Sequence, residues 1–176
     1  MTYAGELVTL RTMEPRDAEA QHRWFQDPDV TRYLGVRYPL SLAAIETRLQ
    51  GAEEPTFANP RFAVDRADTG EPVGYVALRD VTPESRTGEL DLVIGERSAW
   101  GRGIGTDATR TICRYGFDKL GMHRVHLWVF TENAPAIRVY EKAGFVREGV
   151  ARDRFYKHGR WHDCLLMGLL AEEFTR

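Results

Sequence analysis

Ala99-Trp100-Gly101-Arg102-Gly103-Ile104-Gly105-Thr106-Asp107-Ala108 alternates glycine with larger residues and then runs into a helix-like sequence from Thr106. Just upstream, Glu89-Leu-Asp-Leu-Val-Ile94 reads as a strand. Glycine tolerates positive φ and lets another backbone approach closely, so such a turn can aim successive N–H groups at one point. Together with the dipole of a following helix, those groups form an anion site suited to phosphate. Strand, turn and helix therefore predict a phosphorylated ligand held at residues 100–106.

Three ligand classes compete for this turn. A nucleoside-triphosphate loop requires Lys followed by Ser or Thr after its last glycine, and Gly105 is followed by Thr106-Asp107, which excludes it. Gly103-Ile-Gly105-Thr-Asp-Ala108 does spell the dinucleotide pattern G-x-G-x-x-A. That pattern follows its strand directly and is answered by an acid about 20 positions later. Here residues 95–101 intervene, and the next expected strand, Arg124 to Phe130, contains no acid.

In the third class, the strand, the six-residue connection, the R/Q-x-x-G-x-G/A turn and the helix resemble the acetyl-coenzyme A motif of the GNAT superfamily of N-acetyltransferases. Gly103, Ile104 and Gly105 match its last three landmarks, while Trp100 stands where Gln or Arg is usual. An aromatic residue there is similar to the branch that acetylates ribosomal-protein N-termini, the Rim-type branch. Downstream, Asn133-Ala-Pro-Ala-Ile-Arg-Val-Tyr140-Glu-Lys-Ala-Gly144-Phe145 resembles the family's Asn…Tyr-x-x-x-Gly-Phe segment. Both matches lie in the expected order and separation.

Composition sets the frame. The chain has 176 residues, enough for one domain spanning 1–176 with a sizeable core. At 43% hydrophobic and 28% charged it is ordinary for a soluble globular protein, and its net charge of −2 argues against nucleic acid as a partner. Its apolar runs are too short to span a bilayer, so no membrane partner is expected. The start, Met-Thr-Tyr-Ala-Gly-Glu, shows no secretory signal. Cys113 and Cys164 lack Cys or His neighbours at zinc-ligand spacing. They read as buried thiols of a cytoplasmic protein, and no metal is expected.

Along the chain, Leu7 to Arg11 alternates as a first strand. Glu14 to Gln26 and Ser41 to Gly51 read as helices, the second capped by Ser41. Ala52 to Pro60 reads as a polar loop. Phe62 to Asp65 and Val73 to Leu78 form a hairpin around Thr69-Gly70. Helical spacing runs from Thr106 to Leu120, stopped by Gly121. A strand at Arg124 to Phe130 is followed by a helix from Ala134 to Ala143. Late strands at Phe145 to Glu148 and His162 to Leu169 flank a basic segment, Arg152 to Arg160, expected to be a solvated edge. The order β-α-α-β-β-β-α-β-α-β-β resembles the complete GNAT fold: α+β, three-layer α/β/α, with a mixed, mostly antiparallel central sheet.

Acetyl transfer to an amine requires a held thioester, a proton acceptor for the ammonium, an oxyanion partner and a route out for the thiolate. Amides of Trp100, Gly101, Arg102, Gly103, Ile104, Gly105 and Thr106 are the candidates for the pyrophosphate, with Arg102 and Arg97 as added charge or as plain surface arginines. The resemblance implies that the pantetheine arm pairs with backbone along Leu92, Val93 and Ile94, where an N–H near Val93 meets the oxyanion. Glu89 is the leading general base, at the spacing before Trp100 of a catalytic glutamate in related histone acetyltransferases. Asp91 shares its strand face and is its rival or helper; a pair of like charges would raise one of them above the ordinary value of about 4.3. One of the two could instead pair with a surface cation such as Arg86. Tyr140 is implied as general acid to the leaving thiolate, or is a core residue with Ile137 and Ala143. Asn133 is an N-cap that can also reach the cofactor arm.

These readings predict an acetyl-coenzyme A-dependent N-acetyltransferase. Its acceptor is a primary amine, on a protein N-terminus or a small molecule, attacking directly in a ternary complex, and a homodimer is compatible with the family. A non-catalytic acyl-coenzyme A sensor on the same fold is the alternative. Acceptor contacts are expected from loops around Asp27–Tyr38 and Lys157–Trp161.

Overall fold

A computed structural model describes residues 2–35, 38–50, 57 and 59–175. In chain order the elements are β1 (Thr2–Ala4), β2 (Val8–Thr12), α1 (Ala18–Gln26), α2 (Pro28–Thr31), α3 (Leu42–Gln50), β3 (Arg61–Arg66), β4 (Pro72–Arg79) and β5 (Thr87–Ile94), followed by α4 (Ile104–Leu120), β6 (Arg124–Phe130), α5 (Ala134–Ala143), β7 (Val146–Lys157) and β8 (Arg160–Leu170). The strands form one sheet in the order β1-β2-β3-β4-β5-β6-β8-β7. Every neighbouring pair is antiparallel except β5 and β6, which run parallel. The expected three-layer architecture is present, with two additions.

Both additions are too short to show a period. β1 is fixed by Tyr3, whose ring lies 4.7 Å from that of Tyr115 and 5.6 Å from that of Phe62. α2 is a single turn opened by Asp27, whose side chain accepts from the Asp29 amide at 2.9 Å, with Pro28 at its first position. Ser41 caps α3 as expected, accepting from the Ala44 amide at 3.2 Å. The expected end of that helix at Gly51, and most of the polar loop at 52–60, lie outside the described residues.

The late strands are longer than expected, because the basic segment is itself strand. His158 and Gly159, at φ 50° and 76°, make a two-residue turn whose twist suits a hairpin. Tyr156 and Trp161 face each other across it with ring centroids 5.3 Å apart.

α4 and α5 cover one face of the sheet. Ala108, Ile112, Ile137 and Tyr140 pack there on Val8, Leu10, Val76, Leu78, Leu127 and Met167. α1, α2 and α3 cover the other face, where Ala20, Trp24 and Val30 meet Tyr75 and Val93. Cys113 and Cys164 are buried free thiols, as expected. Among the described residues no helix is long and apolar enough to cross a membrane.

Candidate active site

The glycine turn lies between β5 and α4. Gly101 and Gly103 take up left-handed backbone at φ 74° and 84°, which L side chains rarely adopt. Gly103 is the N-cap of α4 and offers no side chain to the first turn. The first helical amide with an acceptor is Asp107, bonded to the Gly103 carbonyl at 3.0 Å. Amides of residues 101–106 thus have no acceptor among the described residues, at the positive end of a 17-residue helix. Trp100 departs from expectation. Its amide donates to Arg97 at 3.1 Å and its indole to the Ile94 carbonyl at 2.8 Å, so it braces the turn against the strand end. Arg97 is likewise committed, pairing with Asp29 at 2.8 Å and Asp27 at 3.6 Å, whereas Arg102 makes no ion pair among the described residues.

β5 and β6 pair only at Thr87–Arg124, Gly88–Val125 and Glu89–His126, and then diverge. β5 runs on to Ile94 and β6 to Phe130, which leaves a wedge between them. The phase of β5 decides which backbone groups face that wedge. The Gly95 amide donates to Val73 at 2.8 Å and the Val93 carbonyl lies against Gly74, so odd-numbered residues address β4. Leu92 and Ile94 therefore address the wedge, with the Ile94 carbonyl already taken by Trp100. Of the amides near Val93, those of Leu92 and Ile94 thus face the wedge, while that of Val93 faces β4.

Glu89 and Asp91 share a face, as strand alternation requires. Opposite them on β4 is Arg79, bonded to Glu89 at 2.8 Å and 4.0 Å from Asp91. The two acids are thus bridged by a guanidinium rather than left as a like-charge pair, and the cation is Arg79, not Arg86. Tyr140, on α5, is buried, and none of the described residues hydrogen-bonds its hydroxyl. Burial, then the charge of Asp91, push its phenol above the ordinary range, so it stays protonated. Asp91 therefore acts electrostatically on the phenol of Tyr140. Asn133 caps α5, accepting from the Ala136 amide at 3.3 Å.

On the Glu89/Asp91 face lies a cleft of about 410 Å³ lined by Leu34, Gly35, Tyr38, Leu40, Arg48, Tyr75, Arg79 and Asp91. Its size falls within the range of small-ligand pockets, about 300–1,000 Å³. The site thus joins a turn of amides without acceptors among the described residues, an open strand edge, two acids, a protonated phenol and a cleft.

Comparison with known proteins agrees with this geometry. The family described as "Acetyltransferase (GNAT) domain" matches residues 8–146. The chain belongs to the GNAT acetyltransferase family. Among relatives of this acetyltransferase, "Probable N-acetyltransferase YjcK" of Bacillus subtilis (strain 168) is 40% identical over 97% of this chain and 90% of its own length. A crystal structure of spermidine N-acetyltransferase from Vibrio cholerae, in complex with CoA and spermine, superposes with a TM-score of 0.82 at 26% identity. That superposition covers 95% of this chain and 97% of the Vibrio chain. A ribosomal-protein-S5-alanine acetyltransferase from Vibrio fischeri shares the fold, with a TM-score of 0.83 at 18% identity over the whole of both chains. Relatives named for either acceptor thus share one architecture.

Several residues of the candidate site were not anticipated from the sequence. Arg79, Arg48 and Tyr75 carry no motif, although Arg79 sits in the alternation of its strand. Of the expected acceptor loops, the first contributes Leu34, Gly35 and Tyr38 to the cleft, while Val36 and Arg37 lie outside the described residues. The second acts through Lys157, whose ammonium donates to the carbonyls of Thr31 at 2.6 Å and Leu34 at 2.5 Å. The basic hairpin is therefore not simply a solvated edge. Arg154 also stacks 3.8 Å over Trp128, and Arg160 pairs with Glu132 at 2.9 Å.

Proposed function

We propose that this chain, as one domain of residues 1–176 in the cytoplasm, transfers an acetyl group from acetyl-coenzyme A to a primary amine. The observation that carries the reading is the run of acceptor-free amides at 101–106 beside the open edge of β5. The amides of Gly101, Arg102, Gly103, Ile104, Gly105 and Thr106 take the pyrophosphate, Arg102 adds charge, and Trp100 holds the turn in place. The pantetheine arm lies along Leu92, Val93 and Ile94, bonding to the groups that face the wedge, in the manner of an added strand. Asn133 lies at the start of α5, where its amide can reach the arm.

An ammonium entering the cleft gives up its proton to Glu89, or to Asp91 alone or through water. The free amine nitrogen attacks the acetyl carbon, and the oxyanion is met by the Leu92 or Ile94 amide. The carbon–sulfur bond then breaks, the second proton of the attacking nitrogen passes to the departing sulfur, and Tyr140 hydrogen-bonds that sulfur as the coenzyme A thiol forms. The Rim-type branch is supported by Trp100 alone, whose bond to Ile94 concerns the cofactor turn, so the acceptor has to be read from the cleft.

The test is free-thiol release from acetyl-coenzyme A with amines and N-terminal peptides, alongside calorimetric binding of acetyl-coenzyme A. Turnover with an amine is expected. Binding without turnover for every amine would instead make this an acyl-coenzyme A sensor. In Gly103→Val, a β-branched residue is forced to φ 84° with its Cβ 3.1 Å from the Leu7 side chain, so the turn has to leave the conformation that presents its amides. Acetyl-coenzyme A binding should be lost, and normal binding in that variant would remove the turn from the site.

A further inference from the structure

The charges around the acceptor cleft are separated into two poles. On the sheet side, Arg79 is bonded to Glu89 at 2.8 Å and lies 4.0 Å from Asp91, so Asp91 is the less engaged of the two acids and lines the cleft, while Arg61 is stacked 4.4 Å over the Tyr75 ring. On the helical side, Arg48 of α3 lines the same cleft and makes no hydrogen bond or ion pair among the described residues. Between the two sides, the described lining is Leu34, Gly35, Tyr38, Leu40 and Tyr75, none of which carries a charged side chain. An amine with positive charge at both ends would meet Arg48 with like charge, at a cost in selectivity that such juxtapositions impose. An acceptor with opposite charges at its two ends would satisfy both poles. A guanidinium presents a planar fork of donors that matches a carboxylate.

We propose that the acceptor is a small primary amine that carries its own carboxylate, with the ammonium placed at Asp91 and the carboxylate held by Arg48. The inference rests on the acetyltransferase reading above and adds the substrate class. Arg48 is a specificity residue: it touches the end of the acceptor that does not react. The chemistry is otherwise unchanged. The nitrogen–carbon bond forms, the carbon–sulfur bond breaks, one nitrogen proton passes to the base and the second to the departing sulfur, and the carboxylate leaves the reaction as it entered.

The experiment measures calorimetric binding to the coenzyme A-loaded protein, and thiol release with acetyl-coenzyme A, for β-alanine, 4-aminobutyrate and L-lysine. Each is compared with its own carboxamide and with spermidine. At least one carboxylate should bind on the order of 10-fold or more tighter than its carboxamide, the scale of a charge-assisted hydrogen bond. Arg48→Met should abolish that preference without changing carboxamide binding. Arg48→Lys should retain part of it, and Arg48→Glu should shift the preference to spermidine. Since Arg48 is exposed on α3, its variants are checked for unchanged thermal unfolding, and the wild-type comparison alone already decides the sign. The proposal is overturned if wild-type protein binds spermidine or the carboxamides as well as every carboxylate, or if the preference survives in Arg48→Met. Failure of acetyl-coenzyme A to bind or turn over in the same samples would defeat the acetyltransferase reading instead.

Discussion

Arg79 stands between the two acids a proton could go to, and its distances from them differ: 2.8 Å to Glu89 and 4.0 Å to Asp91. Removing the charge of Glu89 frees Arg79 to turn fully to Asp91, so both candidate bases are disturbed by one substitution. Glu89→Gln should lower kcat by about 10²-fold, the scale of general-base catalysis, with the acetyl-coenzyme A Kd unchanged. If Glu89→Gln turns over normally while Asp91→Asn does not, the proton goes to Asp91. Tyr140 is tested separately because its hydroxyl has no partner to lose among the described residues. Tyr140→Phe keeps the ring against Ile137 and Ala143, so unfolding free energy should change by no more than about 0.5 kcal/mol. A hydroxyl that bonds the thiolate only as it leaves affects the transition state and not the ground state. Turnover should therefore fall by about 10- to 100-fold with cofactor affinity intact. An unaltered kcat in Tyr140→Phe would leave this residue a purely structural role.

Among the elements, the β7–β8 hairpin holds one wall of the cleft from a distance in sequence. Lys157 donates to two carbonyls at the end of α2 and just beyond it, and burial lowers the pKa of its ammonium. Leu34 and Gly35, which line the cleft, belong to the segment it holds. Lys157→Met keeps the apolar stem but leaves both carbonyls without their donor, so the segment loosens. The amine KM should rise about 10-fold while kcat and the acetyl-coenzyme A KM hold, the pattern of lost uniform binding. Equal losses in both substrates would place Lys157 outside acceptor positioning. This contact joins residues 126 apart, and nothing in the local pattern of either segment announces it. By contrast, α4 and α5 were legible because glycines and Asn133 mark their ends and apolar spacing marks their faces. β6 was read residue for residue from its β-branched and aromatic run. The Arg79–Glu89 pair was not legible, since the connection between β4 and β5 includes Asp80 and Arg86 at φ 55° and 51° and does not fix a register by its turn type. Nor was the phase of β5, because alternation tells which face a side chain takes and not which edge an amide addresses.

At the scale of the whole molecule, the helical layer over β2 to β5 is joined to the sheet by a buried ionic network. Arg11 of β2 bonds Asp65 of β3 at 2.6 Å and Asp17, in the turn before α1, at 2.6 Å. Burial alone would push the Asp17 carboxyl up, but hydrogen bonds from Arg11 and the Glu14 amide, with the Arg11 charge, outweigh it and hold it below its ordinary value. In the unfolded chain the same carboxyl titrates near about 3.9. A folded value below the unfolded one means that the unfolded state binds more protons in that window. Stability from Asp17 is therefore fully present above about pH 4 to 5 and is lost as pH falls through the lower folded value. Asp17→Asn should cost about 3 kcal/mol at neutral pH by leaving Arg11 short of a buried partner. It should also flatten the acid limb, so that wild type and variant converge as pH falls through the lower folded value. Urea unfolding at a series of pH values measures both, and parallel curves for the two proteins would show that Asp17 is not the titrating link. The network lies on the β2–β3 side of the sheet, away from the wedge between β5 and β6. Acetyl-coenzyme A affinity of folded Asp17→Asn at neutral pH should accordingly match wild type, which separates a loss of the scaffold from a loss of the site.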